Sequence, residues 1–313
     1  METLLQHSLT KNFSVFFNKL NPSITFEEIA AREYKSIKSL IESPSGLASN
    51  LSPVCFLQGS YKQDTAIHSI NDVDVIALCK LWQPGSGTGQ SWGRNEIFDT
   101  ISAPLLNDYR YKNKISYKTS SMCIKIDLGI KIEILPVVYK SDNNNLDSEP
   151  FRLWRPEENK WCDGFARYHQ QKLTEKNKQT AGNFIPAVKV FKHINKIHFL
   201  DSVSFHIESF LYNLRDDFFI GSNAYFISQL LKAIASCSPE DIYNTEGFLT
   251  PCKERKIFTS NEWGFDNWKK LHGKLCFLSV LAQKAISTRD MNEAISLWQL
   301  ILGEEWFPKT VAN

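Results

Sequence analysis

The spacing of apolar positions changes character part-way along the chain. Between 26 and 43, FEEIAAREYKSIKSLIES sets Ile29, Tyr34, Ile37, Leu40 and Ile41 at helical intervals, and Pro44-Ser45-Gly46 ends the helix this predicts. VCFLQGS (54–60) is a short apolar run entering a Gly-Ser turn, the pattern of a strand. DVDVIALCK (72–80) alternates and then becomes wholly apolar, as a strand does when it enters a core. SMCIKIDLG (121–129) and IKIEILPVVY (130–139) predict two more strands. The second puts Ile130, Ile132 and Ile134 on one face and Lys131, Glu133 and Leu135 on the other. From there the period becomes helical, over 183–198, 204–214, 223–236 and 264–287. The polar stretch SDNNNLDSEP (141–150) marks the boundary, so the expected domains are a strand-rich core over 1–145 with an N-terminal helix, and a helical lobe over 146–313.

Charge alters this outline little. The chain of 313 residues has 36 basic and 34 acidic side chains, a formal charge of +2, and that balance does not mark a general nucleic-acid binder. Seven cysteines, odd in number and without a CxxC, are expected to be buried reduced thiols. The first residues lack the basic start and apolar block of a secretory signal, and no apolar run is long enough for a membrane span. A cytoplasmic protein is expected. The glycine-rich segment QPGSGTGQSWGRN (83–95) lacks the Gly-Lys-Ser/Thr of a phosphate loop and is expected to be a surface loop.

Candidate chemistry lies in the carboxylates. Asp72 and Asp74 are two apart on one strand and share a face. Carboxylates that close stay ionised cheaply only with a cation between them. Glu133 has a matching polar face on another strand, and three carboxylates converge if that strand pairs with the first. Such a set suits two Mg²⁺ ions, which bridge phosphates in in-line phosphoryl transfer. Gly59-Ser60, at the end of a predicted strand upstream, allows close backbone approach and offers a hydroxyl and amides to a triphosphate. An isolated DxD on a strand is also a common accident, and the Gly-Ser turn is what favours the metal reading.

FLQGSYKQDTAI (56–67) followed by NDVDVI (71–76) resembles the signature of the CD-NTases, the cGAS/DncV-like nucleotidyltransferases of bacterial anti-phage CBASS systems. Thr65, Ile67 and the Glu133-Ile-Leu-Pro136 segment fill further places of that pattern. FIPAVKVFKHIN (184–195) is similar to the family helix whose lysine reaches the donor triphosphate, which implies that role for Lys192. Ser204-Phe205-His206-Ile207-Glu208 is similar to the segment whose serine touches phosphate and whose aromatic stacks on a base, which implies Ser204 and Phe205. The family's third carboxylate is usually Asp; here it is Glu133, with Asp127 as the fallback ligand. His193, His198 and His206 fit no ligand pattern, and no Cys/His cluster has zinc spacing, so activation by double-stranded DNA is not expected.

The resemblance implies an α/β (α+β) fold of the polymerase-β-like nucleotidyltransferase type, bilobed, with a mixed-sheet catalytic lobe and a helical lobe. It implies a metal-dependent nucleotidyltransferase that joins nucleoside triphosphates (ATP, with GTP, UTP or CTP as further candidates) into a cyclic di- or trinucleotide and releases pyrophosphate. Asp72, Asp74 and Glu133 would hold two Mg²⁺ ions, with Mn²⁺ an alternative, while Gly59, Ser60, Lys192 and Ser204 would grip the triphosphate. A regulatory protein partner and an effector that reads the product belong to the same expectation. The alternatives are a linear oligonucleotide synthetase or other nucleotidyl-transferring enzyme of the superfamily, and an inactive nucleotide-binding scaffold.

Overall fold

A computed structural model of the protein describes residues 9–80, 93–116, 121–139, 149–156 and 159–312. Internal packing divides the chain into two compact units. The sheet unit comprises Pro22–Asp64 and Ser69–Gln170; the helical unit takes the chain up to Asn21, the short segment Thr65–His68, and everything from Gln171 onward.

The chain opens on α1 (Thr10–Leu20) of the helical unit and continues into α2 (Ile24–Ile41) of the sheet unit. The Ser23 hydroxyl caps α2 by accepting the Phe26 N–H at 3.1 Å. β1 (Pro53–Gln58), the short helix α3 (Gly59–Lys62), β2 (Asp72–Cys79) and α4 (Arg94–Leu106) follow. The remaining strands are β3 (Ile115–Ser116), β4 (Ile124–Asp127), β5 (Lys131–Val138), β6 (Phe151–Arg155) and β7 (Lys160–Gly164). They form one mixed sheet in the order β1-β2-β5-β4-β3, with β6 joined to β5 and β7 to β6. Only the β2–β5 pairing is parallel among the described strands. On one face Val73, Val75, Ile132 and Ile134 pack under Phe26, Ile37, Phe98 and Ile101 of α2 and α4. On the other, Ile76, Leu78, Leu135, Val137 and Phe151 form a smaller cluster. The alternation of β2 and β5 thus feeds two cores, and only the first residues of each strand are left open.

In the helical unit α5 (Ala166–Gln179, its first turn in the sheet unit) leads to α6 (Phe184–Ile197) and α7 (Ser204–Asn213). α8 (Asn223–Ala235), α9 (Pro239–Asn244), α10 (Phe265–Ser287) and α11 (Met291–Leu302) follow. Their shared core includes the fully buried Trp268 and Trp298 and takes in Phe13 and Phe16 of α1.

The predicted segments agree to within a few residues, and the mixed sheet with added helices is the expected α/β class. Several elements were not predicted: α1, α4, α5, α11 and the β6–β7 hairpin. α4 has Ile97, Phe98, Ile101 and Leu105 at helical spacing, but it follows the glycine-rich run and holds Pro104. That run lies, over 81–92, outside the described residues, as does most of the polar segment 141–150. All seven cysteines are free; Cys55, Cys79 and Cys123 are buried as expected, whereas Cys237 is exposed. No helix among the described residues is long and apolar enough to cross a membrane.

Candidate active site

Asp72, exposed, and Asp74, half-buried, share the open face at the start of β2, while Val73 and Val75 between and beyond them are in the core. The parallel register sets Asp72 against Lys131 and Asp74 against Glu133, so strand periodicity brings the third carboxylate beside the second. On the far side of β5, Lys125 of β4 stands opposite Glu133, its ammonium 2.7 Å from Oε1. The Cys123 thiol, pushed up to about 12 by burial and by the Glu133 carboxylate, donates to Oε2 at 3.3 Å. Burial, then the Asp72 and Glu133 carboxylates, push the Asp74 carboxyl up to about 7; Lys125 draws it part of the way back. Asp127, the alternative ligand, closes the β4–β5 turn, its Oδ1 accepting the Gly129 N–H at 3.2 Å.

β1 brings the Gly-Ser turn to the same place, because its last residue, Gln58, pairs with Asp74. Gly59 follows with φ +72°, a conformation that disfavours side chains. A Cβ there would overlap Asp74 Oδ2 and lie 2.9 Å from Asp74 Cγ. Glycine is therefore required twice, for the backbone angle and for the carboxylate packed on it. Ser60 comes next, half-buried, in the first turn of α3.

The other expected nucleotide-binding residues belong to the helical unit. Lys192 in α6 is buried, its Nζ donating to Thr65 O at 3.2 Å and Thr65 Oγ1 at 3.0 Å, and lying 3.4 Å from Glu208 Oε2. Its ammonium is not presented at the surface as a phosphate ligand. Ser204, exposed, is the first residue of α7, and Val203 occupies the cap position. Phe205 is half-buried, with the Arg255 guanidinium 5.5 Å from its ring centre. Arg255 is in turn 3.0 Å from Glu262, which also contacts His206 at 3.3 Å. Glu208, Arg255 and Glu262 were given no role from the sequence. A carboxylate among Ile207, Phe210 and Leu211 on one apolar helix is the signal that was there to find for Glu208.

The donor set of Asp72, Asp74 and Glu133 is all carboxylate oxygen, which suits a hard divalent cation, and such a cation would offset both the burial and the neighbouring charges that raise the Asp74 carboxyl. As they stand, no three His, Cys, Asp or Glu side chains among the described residues are gathered tightly enough to hold an ion. Glu133 is turned to Lys125 and Cys123.

Comparison with known proteins gives these residues a family. Residues 8–177, more than half of the chain and the part that carries Gly59, Ser60 and all three carboxylates, match the Second Messenger Oligonucleotide or Dinucleotide Synthetase domain. The chain belongs to this family. It is a nucleotidyltransferase of the CD-NTase type, a synthase of cyclic oligonucleotide second messengers in anti-phage signalling, and enzymes of this family use divalent metal ions. Among curated relatives, the cyclic UMP-AMP synthase of Rhodothermus marinus is 22% identical over 219 residues, 62% of this chain and 73% of that protein. Two solved structures share the synthetase fold at low identity. E. coli MS115-1 CdnC, in complex with HORMA-deltaN, superposes with a TM-score of 0.72 at 14% identity, over 95% of this chain and 98% of that one. Vibrio cholerae DncV, a cyclic AMP-GMP synthase, gives 0.63 at 15% identity over 99% and 88%.

Proposed function

We propose that this synthetase joins nucleoside triphosphates at the open end of β2 and β5, with Asp72, Asp74 and Glu133 as metal ligands, and closes the product into a cyclic di- or trinucleotide. The observation that carries this reading is the register of Asp74 with Glu133 against Gly59, where burial and then two neighbouring carboxylates push the Asp74 carboxyl up to about 7. Asp72, Asp74 and Glu133 would hold the divalent ions, Mg²⁺ or Mn²⁺, which when bound would supply charge neutralisation for phosphoryl transfer. The protein's part is placement. The glycine at position 59 lets the backbone approach, Ser60 offers its hydroxyl and amide to the triphosphate, and Asp74 holds its carboxylate in a fixed position against that turn. Ser204 and Phe205, at the start of α7, are the nucleotide-binding candidates of the helical unit, and Lys192 acts within that unit through Thr65. Glu133 is preferred to Asp127 as third ligand because it stands beside Asp74, whereas Asp127 closes a turn.

Triphosphate substrates are supported by the Rhodothermus marinus CdnE c-UMP-AMP synthase, solved with Apcpp and Upnpp. A regulatory protein partner is supported by the CdnC complex with HORMA-deltaN, and an effector that reads the product belongs to the same proposal. Incubation with all four labelled triphosphates and Mg²⁺ or Mn²⁺, then phosphatase and mass spectrometry, tests the reading, with Asp72→Ala/Asp74→Ala alongside. A phosphatase-resistant product that the double variant does not make is expected. A phosphatase-sensitive ladder would identify a linear synthetase instead.

A further inference from the structure

The stretch between the Gly59-Ser60 turn and Asp72 does not stay in the sheet unit. Asp64 and Ser69 belong to that unit, yet Thr65–His68 packs in the helical one. Its first residues are buried: Thr65 is inaccessible, Ala66 5% and Ile67 8% exposed. Thr65 is held through its hydroxyl and its carbonyl. Its Oγ1 donates to Glu208 Oε2 at 2.9 Å while accepting from Lys192 Nζ at 3.0 Å, and its carbonyl accepts from the same ammonium at 3.2 Å. With Glu208 Oε2 at 3.4 Å, the three protons of the ammonium are matched by three acceptors. At the other end, the His68 N–H donates to Leu20 O at 2.6 Å, and its ring lies 4.0 Å from that of Trp306.

A buried Lys–Glu pair is a poor source of stability, because desolvation of two charges offsets most of their attraction; apolar side chains of the same volume serve a core as well or better. What the pair adds is direction. Removing either charge leaves the other uncompensated, and Thr65 must turn its hydroxyl one way to satisfy both.

We propose that Glu208 and Thr65 are positioning residues of the synthase: with Lys192 they form a buried clasp that fixes the strap Thr65–His68, and through it the chain path from Gly59-Ser60 to Asp72. This rests on the assignment of those residues to nucleotidyl transfer. Neither residue touches the reacting groups in this role.

Thr65→Val, which keeps the shape and deletes the hydroxyl, and Glu208→Gln, which keeps the shape and deletes the charge, are the variants to test in the full chain, with Thr65→Ser as the conservative control. Hydrogen exchange followed by mass spectrometry reads the strap without turnover; kcat and KM for triphosphates read the site. Thr65→Val is expected to speed exchange over 65–72 about tenfold or more while α6 and α7 keep their protection, and to lower kcat about tenfold with KM within about threefold. Thr65→Ser is expected to keep wild-type values in both. If Glu208→Gln lowers the yield of folded protein, Thr65→Val carries the test. Unchanged exchange over 65–72 in a folded Thr65→Val protein overturns the clasp, as does equal impairment of Thr65→Ser with exchange raised throughout α6 and α7. A wild-type chain that makes no product with either metal, but whose strap loosens in Thr65→Val, counts against the transfer reading and for the clasp. Product formation with an unmoved strap counts the other way.

Discussion

Asp74→Asn should make the metal-free protein more stable at alkaline pH and, by the same change, abolish its response to magnesium. The Asp74 carboxyl is raised from 3.8 to about 7, first by burial and then by the carboxylates of Asp72 and Glu133. Because the folded-state value is the higher one, the native protein retains a proton between about pH 4 and 7 that the unfolded chain gives up. Stability is therefore full below pH 4 and is lost as pH rises through 7, and the difference corresponds to roughly 4 kcal/mol at 1.36 kcal/mol per decade. Side-chain relaxation and residual solvent around a half-buried group reduce this, so about 2–3 kcal/mol is the expected effect at pH 8.5. Asparagine has the same shape and cannot ionise, so it removes that loss. Thermal and denaturant unfolding in EDTA from pH 5 to 8.5 should show the wild-type curve falling and the variant flatter by that amount. Adding Mg²⁺ at pH 8 should raise the wild-type Tm, since a ligand of the native state alone stabilises it, and leave the variant's unchanged. Parallel pH curves for the two proteins, or an equal magnesium shift, would refute the reasoning that burial and the neighbouring carboxylates raise Asp74 and that a bound cation relieves this.

Gly59→Ala should lose most product formation, because the new Cβ displaces the Asp74 carboxylate and takes up φ +72°; about 1–2 kcal/mol of lost stability by denaturant unfolding accompanies it. Lys125→Gln should tighten magnesium binding in a calorimetric titration at pH 8.5, where Asp74 is ionised, since it frees Glu133 from a cation 2.7 Å away and removes a positive charge that repels the metal. Phe205→Ala should raise KM for triphosphate several-fold with Tm changed by little, as the ring is half-buried and lies outside the helical core cluster.

How far the site could be read from the chain follows from how local each relation is. Asp72 and Asp74 share a face because a strand repeats every second residue, and Glu133 faces the same way for the same reason; only the pairing of β2 with β5 had to be supplied by the fold. Gly59 against Asp74 is already less legible. The sequence presents a glycine before a serine, whereas the reason for it is a positive φ at the end of β1 and a carboxylate from the neighbouring strand. Lys192 shows the limit. Its helix was predicted to within a residue at each end, and its spacing permits a solvent-facing or a buried ammonium. The choice is made by Thr65, distant in sequence and brought in by a segment too short to carry any periodicity. A glutamate on an apolar helix face was the one sign that a buried cation would be needed, and it acquires that meaning only once Thr65 is seen beside both. Local period therefore finds the three carboxylates proposed as metal ligands, since they sit on regular strands. The clasp proposed to aim them joins two helical side chains, Lys192 and Glu208, to Thr65 of an irregular segment, and only tertiary packing specifies that meeting.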